Sequence, residues 1–267
     1  MKSLLSCLAA FAAFVLEATP VVRFSSDASF ADADTMIRFT TPVAFDVAVD
    51  QSEVQAVFDE KNLYLSARGW YDGKAVRLTD ELKRKNLFEF FIQADVANPR
   101  YVQVRVRENG EFDSYEFDQG VKRKCERKTG IRVSAAELPA EKTGPYKGLV
   151  SWRANAVIPF KLLGSSAPRA DRAARLGVMR HNVSLAGGRS EDSSLTSVAN
   201  NYGIPQCWQP VTFTRKAGLP QVVKGEVRDA RVNYFANGEF DVPGRGWQTF
   251  PKDGHVERVE TMAMSGE

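Results

Sequence analysis

The alternation of hydrophobic and polar positions is clearest between residues 86 and 107. Residues 101–107 (YVQVRVR) place valine at every even position and a polar or amphipathic residue at every odd one. This period of two predicts a strand with one buried face and one solvent face. Residues 86–93 (NLFEFFIQ) precede it across a turn, which predicts a hairpin. Reflection about the turn places Glu89 opposite Arg105 or Arg107, on the face away from the valines.

Similar short patterns, separated by turn residues, recur along the chain, and long helical periodicity is lacking. Further strands are predicted at residues 43–49, 54–58, 63–70, 111–117, 148–158, 175–185 and 209–214. Polar connections without strands are predicted at residues 79–85, 122–147 and 187–204. This arrangement predicts an all-β fold. We expect an antiparallel β-sandwich of the immunoglobulin or jelly-roll-like kind, with long loops and a short C-terminal extension.

The ends of the chain differ from its middle in composition. Lys2 followed by the apolar residues 4–16 and by Ala18 predicts a secretory signal peptide at residues 1–19. The sandwich is expected at residues 24–215, followed by a linker at 216–230. Residues 231–267 resemble the start of a second β module but are too few to form their own core, so we expect a truncated module. Packing of this tail against the sandwich is the alternative.

Composition and charge narrow the classes of function. The 267 residues are 43% hydrophobic and 26% charged, with a formal net charge of +3, which is too small to indicate nucleic-acid binding. The basic residues around 122–128 favour a solvated loop. With the signal peptide removed, no segment is long and apolar enough to span a membrane. The sequence therefore predicts a secreted, periplasmic or cell-surface protein.

The residues that usually carry catalysis or redox chemistry are scarce. His181 and His255 are the only histidines, and no nucleophile motif lies near either. We therefore expect no enzymatic activity and no cofactor. Beyond the signal peptide, Cys125 and Cys207 remain. An export route permits a disulfide between them, but two separate thiols fit equally well.

Five short motifs, in order, resemble the family 9 carbohydrate-binding modules and their DOMON-like relatives. Residues 58–65 (FDEKNLYL) match the acidic turn and Leu-Tyr strand of that family, and residues 86–91 (NLFEFF) match its Glu-containing strand imperfectly. Residues 103–106 (QVRV) match the Gln-x-Arg-Val strand. The fourth motif, a tryptophan-containing strand that ends in Ile-Pro-Phe, is matched by residues 152–160. The fifth, a strand that runs from Gly to Asn, is matched by residues 177–182.

The resemblance implies a non-catalytic sugar-binding module, accessory to a polysaccharide-degrading or cell-surface protein. It implies that Glu89 and Arg105 hydrogen-bond sugar hydroxyls, which agrees with the ability of a prearranged charge pair to form charge-assisted bonds. Gln103 and Asn182, from matched strands, are further candidate sugar ligands. The partner is then a carbohydrate, with further domains of a longer protein as possible neighbours.

The chain departs from the family in its aromatic residues. Sugar-binding members stack the sugar between two tryptophans, and the corresponding positions hold Lys83 and approximately Thr196. Trp70 and Tyr202 are candidate replacement surfaces, since apolar sugar faces stack on aromatic rings. Trp208, beside the last strand, favours core packing.

Some family members bind structural calcium, and that remains possible for this chain. The candidate oxygen ligands are Asp46, Asp50, Asp72 and Asp80, but their spacing defines no site.

Two alternatives to sugar binding stay open. The first is a structural or adhesive spacer, which the missing tryptophans favour. The second is a haem-binding DOMON-type domain, since Met179 and His181 share one face of a predicted strand.

Overall fold

The computed structural model describes residues 19–42, 46–73, 78–125, 129–164, 173–185, 189–196 and 203–225. The predicted second module lies outside the described residues, as do Tyr202 and all of the predicted signal peptide except its last residue. No described helix is long and apolar enough to cross a membrane.

The described residues form fourteen strands and one short helix. The strands are β1 (Val21–Phe24), β2 (Thr35–Ile37), β3 (Ser52–Phe58), β4 (Asn62–Tyr71), β5 (Leu87–Gln93), β6 (Tyr101–Arg107), β7 (Phe112–Asp118), β8 (Val121–Lys124), β9 (Arg132–Leu138), β10 (Val150–Pro159), β11 (Ala173–Leu185), β12 (Arg189–Ser194), β13 (Gln209–Thr214) and β14 (Val222–Lys224). Helix α1 spans Asp80–Lys85, and 3₁₀ turns lie at Phe160–Leu163 and Pro205–Cys207.

All fourteen strands belong to one sheet that curls over on itself. Its order is β8-β7-β6-β5-β11-β13-β1-β3-β4-β10-β9, with β12 beside β11, and with β2 joining β14 to β3. Strand β6 also contacts β9 and β10, which lie at the other end of this order, so the two halves face each other as the layers of a sandwich. The predicted β-sandwich is confirmed.

The strand pairs are mostly antiparallel, and three pairs in the described part of the chain are parallel. Strand β1 runs parallel to both β13 and β3, and β14 runs parallel to β2. Strand β1 lies between the two halves of the sheet and joins them. The prediction placed the first strand at residues 43–49. That was wrong, because β1 and β2 precede it and the described part of 43–49 forms only an isolated bridge at Val47.

The core lies between the two halves. Inward-facing positions of β5 and β6, including Phe88 and Val104, meet those of β10, including Trp152. The rings of Phe88 and Trp152 are 4.9 Å apart between centroids. The outward-facing positions of β5 and β6 carry the polar residues that the alternation predicted.

Three strands lie where the sequence predicted polar connections. Strand β8 overlaps the start of residues 122–147, β9 falls within them, and β12 falls within 187–204. Strands β8 and β9 form the two ends of the sheet. An edge strand has fewer neighbours to pack against and is often rich in charged residues, so its composition resembles that of a loop.

Helix α1 leads directly into β5 and is stabilised at both ends. The Thr79 side chain accepts a hydrogen bond from the Leu82 backbone N–H at 3.3 Å. Asp80 and Glu81 lie in its first turn, and the last turn is basic, which matches the helix dipole.

Candidate functional site

The β5–β6 hairpin places an acid, an amide and a base side by side on the outer sheet face. Its register pairs Glu89 with Arg105 and Phe91 with Gln103. The Glu89 Oε1 atom lies 2.9 Å from Arg105 Nε, and Gln103 Nε2 donates a hydrogen bond to Glu89 Oε2 at 2.6 Å. We call these three residues the Glu89 cluster. The sequence allowed Arg105 or Arg107 as the partner of Glu89, and in the structure the partner is Arg105.

The members of the cluster differ sharply in exposure. Glu89 is 7% exposed and Gln103 is 3% exposed, whereas the side chain of Arg105 is 34% exposed. Burial raises the pKa of Glu89, and the nearby charges of Arg105 and Lys122 and the hydrogen bond from Gln103 partly offset this effect. The carboxylate therefore holds its neighbours in place, while the Arg105 side chain is the member of the cluster that solvent reaches.

Aromatic and basic side chains continue this outer face beyond the cluster. Tyr115 on β7 pairs with Gln103, and the Arg105 guanidinium carbon lies 5.9 Å from its ring centroid. Lys122 Nζ on β8 lies 4.0 Å from the same centroid and 5.7 Å from that of Phe117. Neither Tyr115 nor Lys122 was predicted as a site residue; Lys122 lies in the basic run for which a loop was predicted. The available signal was the strand predicted at residues 111–117, which follows β6 in the chain and pairs with it.

A buried aromatic cluster supports the other end of the face. Trp208 is 1% exposed and packs against Phe91 at 5.3 Å and Tyr101 at 5.0 Å between centroids. Tyr101 stacks in turn on Phe117 at 4.3 Å. The predicted packing role of Trp208 is confirmed, and Trp208 therefore cannot serve as an exposed sugar platform in this conformation.

Trp70 does not join the Glu89 cluster, which corrects the predicted site. It lies on β4, separated from β5 in the sheet order by β11, β13, β1 and β3. Its ring stacks on Tyr146 at 4.0 Å, with the Arg68 guanidinium 5.0 Å from its centroid, and Trp70 is 3% exposed. Protein side chains already cover the surface that the prediction offered to a sugar.

Asn182 lies on the opposite face of its strand from the cluster, which is a second correction. It is 1% exposed, donates from Nδ2 to Asp50 Oδ2 at 2.9 Å and accepts at Oδ1 from Arg180 Nη2 at 3.3 Å. Side chains alternate along β11, so Met179 is directed to the outer face, where it pairs with Glu89, and Asn182 is directed inward. The remaining predicted ligand, Tyr202, is outside the described residues.

The two positions that hold tryptophan in sugar-binding members are already engaged here. Lys83 Nζ donates to Glu137 Oε2 at 2.9 Å. Thr196 is 2% exposed and donates to the Cys207 carbonyl oxygen at 2.7 Å. Neither residue presents an open stacking surface.

The structure also places the candidate metal ligands and the cysteines. Among the described residues, no group of three or more His, Cys, Asp or Glu side chains is arranged to hold a metal ion, and structural calcium stays a prediction. Asp50 instead receives the Asn182 amide, and burial raises its pKa. Cys125 and Cys207 are both thiols; Cys207 is buried, and burial raises the pKa of Cys125.

Comparisons with known proteins found similar solved structures and no match to the sequence. No protein-family model and no curated protein matches the sequence. A candidate carbohydrate-binding protein from Bacteroides uniformis superimposes with a TM-score of 0.53 at 10% identity, over 73% of this chain and 98% of that one. The two chains share a fold.

Two further solved structures are of a family 9 carbohydrate-binding module from Caldicellulosiruptor kristjanssonii. The complex with cellotriose has a TM-score of 0.49 at 11% identity, covering 74% of this chain and 94% of that one. The complex with glucose has a TM-score of 0.45 at 12% identity, covering 74% and 97%. Of these comparisons, the one with the Bacteroides uniformis protein shows a shared fold, and at 10% identity it shows the fold alone.

Replacing Glu89 with glutamine tests the electrostatics of the cluster. The folded chain binds the Glu89 proton more tightly than the unfolded chain, because its pKa is raised from the ordinary 4.5. The stabilising effect of protonation is present below the unfolded pKa and is lost as pH rises through the folded pKa. Glutamine resembles the protonated acid, so we expect the stability of Glu89→Gln relative to the native chain to increase with pH. Urea unfolding at about pH 4 and about pH 7 measures this difference.

Glu60→Gln is the matched control. Glu60 is fully exposed, and its hydrogen bond from Arg215 lowers its pKa, so its substitution should give a pH dependence of the opposite sign, weakened by solvent screening. Equal pH dependence in the two variants would contradict the role assigned to burial at Glu89.

Proposed function

We propose that this chain is an exported, non-catalytic carbohydrate-binding module whose binding surface is the outer face of β5–β8. The observation that carries the proposal is the Glu89 cluster, in which a buried carboxylate holds Arg105 at the solvent boundary of a rigid hairpin. A guanidinium fixed in this way loses little conformational freedom when it binds hydroxyl or acidic oxygens. The fold shared with a candidate carbohydrate-binding protein supports the same function.

The module is proposed to act beside a polysaccharide-degrading or cell-surface protein. Sheet surfaces suit this role because strands position side chains more rigidly than loops do. Export, through the predicted signal peptide, would bring the module to extracellular polysaccharide.

Arg105→Ala should reduce sugar affinity by about 10- to 100-fold, since a hydrogen bond to a charged group contributes about 1.5–3 kcal/mol. A glycan array would first identify a ligand, and isothermal titration calorimetry would then compare the variant with the native chain. The control is Arg132→Ala, an exposed arginine on β9 in the other half of the sheet. Circular dichroism checks that both variants remain folded, and equal losses in both would contradict the site.

A structural spacer is the second candidate, and one observation favours it. The two tryptophan positions hold residues already bonded within the protein, Lys83 and Thr196. If the native chain binds no glycan on a diverse array, a spacer role becomes the supported function in place of sugar binding.

A haem-binding role has less support from the geometry. His181 Nδ1 contacts Asp192 Oδ1, and this partner raises the pKa of His181. The cavity beside Met179 has a volume of about 10 Å³, which holds about one water molecule and no porphyrin. A Soret band in the absorbance spectrum of the purified protein would restore this alternative.

A further inference from the structure

The part of the outer face that solvent reaches is mainly cationic. By register, the outward positions of β6, β7 and β8 bring together four basic side chains: Arg105, Arg107, Lys122 and Lys124. On the outer face of β5–β8, the carboxylates among the described residues are Glu89, which is almost covered, and Asp113. Beyond β11, the same face carries Asp192 on β12, which contacts His181. We call the four basic residues, Arg105, Arg107, Lys122 and Lys124, the basic strip. A ligand that approaches the Glu89 cluster therefore meets positive charge before it meets the buried carboxylate.

Asp113 already neutralises part of the strip. Its Oδ2 atom accepts from Arg107 Nη2 at 2.7 Å, and its Oδ1 atom lies 3.7 Å from Lys124 Nζ. Arg107 and Lys124 therefore share one counter-charge, and Arg105 has Glu89, so the four bases of the strip outnumber the two carboxylates beside them.

Lys122 is the member of the strip with the least internal neutralisation. Within the described part of the chain, no carboxylate lies within ion-pair distance of its ammonium group, which is held over the rings of Tyr115 and Phe117. Its charge still lowers the pKa of Glu89, so it acts on the same electrostatic environment as Arg105. The cation–π contact restrains the ammonium beside the cluster.

The same contact changes what Tyr115 can offer a ligand. A sugar ring stacks on an aromatic face, but Lys122 lies over the Tyr115 ring at 4.0 Å. The two tryptophan positions of sugar-binding members are also closed by Lys83 and Thr196. Stacking is therefore weak on this face, and charge pairing must supply a larger share of the affinity.

We propose that the carbohydrate recognised here is acidic, with its carboxylate or sulfate groups paired with Arg105 and Lys122. This inference rests on the proposed function and names the class of sugar. Glu89 fixes the orientation of Arg105, and the planar guanidinium can bind two oxygens of a carboxylate or sulfate at once. Lys122 adds a compact positive charge beside it.

The test compares three oligosaccharides of equal length: a neutral cello-oligosaccharide, an oligogalacturonate and a sulfated galactan oligosaccharide. Isothermal titration calorimetry would measure each at about 50 mM and about 500 mM NaCl, because added salt screens exposed charge pairs. We expect at least one acidic sugar to bind about 10-fold more tightly than the neutral one, and its affinity to fall with salt. The tighter of the two acidic sugars identifies the anionic group, carboxylate or sulfate.

Lys122→Gln should weaken binding of the acidic sugar by about 2- to 5-fold, as expected for one lost exposed charge pair, and should change binding of the neutral sugar by less. Lys147→Gln, an exposed lysine in the turn between β9 and β10, is the matched control, since it removes one charge elsewhere. The salt series on the native chain needs no variant to fold, so it tests the inference independently.

The outcomes separate this inference from the proposed function. Neutral and acidic sugars that bind equally well, without salt dependence, would overturn the acidic class and support the module. Polyglutamate that binds as tightly as the acidic sugar would overturn saccharide recognition by the strip. Failure of all three sugars and of a wider glycan array would overturn the proposed function itself.

Discussion

Arg180→Met is expected to lower the free energy of unfolding by about 3–5 kcal/mol, the range for removing one member of a buried charged network. Arg180 is fully buried on β11 and directed between the layers. Its Nη2 atom donates to the Trp70 carbonyl oxygen at 3.1 Å, and its Nη1 atom donates to Ser52 Oγ at 3.3 Å. Urea unfolding, followed by tryptophan fluorescence, measures the loss.

The cost is large because several groups depend on the same guanidinium. Burial lowers the pKa of Arg180 to about 10, and the negative charges of Asp50 and Glu108 oppose that shift, so it remains a cation at neutral pH. Removing the cation leaves the buried Glu108 and the half-buried Asp50 without its positive charge, and burial already raises the pKa of each carboxyl group. Methionine fills much of the volume but donates no hydrogen bond.

Arg132→Met is the control for this substitution, because Arg132 is exposed on β9. Its stability should change by less than about 0.5 kcal/mol, as is usual for surface positions. A small loss for Arg180→Met, comparable with that of Arg132→Met, would show that the network contributes little. Gly69 gives an independent check, since a Cβ atom there would lie 2.7 Å from the Arg180 guanidinium carbon. Gly69→Ala should therefore destabilise the native chain more than it destabilises Arg180→Met.

Trp152→Ala is expected to cost about 3–5 kcal/mol, as large-to-small substitutions of buried aromatic residues do. Trp152 has no exposed surface, lies on the inner face of β10 and contacts the Phe88 ring across the sandwich. Alanine would leave a cavity directly beneath the strand that carries Glu89. Circular dichroism during urea unfolding measures the change without relying on the removed indole.

Trp152→Phe is the matched variant, because it keeps an aromatic ring at the contact. The indole Nε1 group of Trp152 is buried without a hydrogen-bond partner in the described structure. Phenylalanine removes that unsatisfied donor, so we expect a clearly smaller loss than for alanine. Equal losses of stability in Trp152→Phe and Trp152→Ala would show that packing of this ring against Phe88 contributes little. If Trp152→Ala remains fully folded and still loses sugar affinity, the core also positions the Glu89 cluster.

The hairpin was predictable because two physical signals agreed within a short segment. Alternation along residues 101–107 defined the buried face, and the short turn limited the register to two possibilities. The structure selected the pairing of Glu89 with Arg105. The exposure of the pair was not predictable, since the neighbouring strands that cover Glu89 come from distant parts of the chain.

Other residues were misplaced because their surroundings are set by tertiary contacts. Asn182 is a polar residue in a strand, and a polar residue usually indicates a solvent face. Its inward direction follows from the partners that it contacts, Arg180 and Asp50. Trp70 was predicted to offer a stacking surface for a sugar, but Tyr146, which lies in a loop, covers its ring.

The sequence alone determined an all-β sandwich, the β5–β6 hairpin and the outward direction of Glu89, Gln103 and Arg105, because period-two alternation is a local property of a strand. The tertiary structure alone decided which of these side chains solvent reaches, that Lys122 joins them, and that Trp70 and Asn182 do not. Those outcomes depend on which distant strands become neighbours when the sheet curls, and no local pattern encodes that proximity.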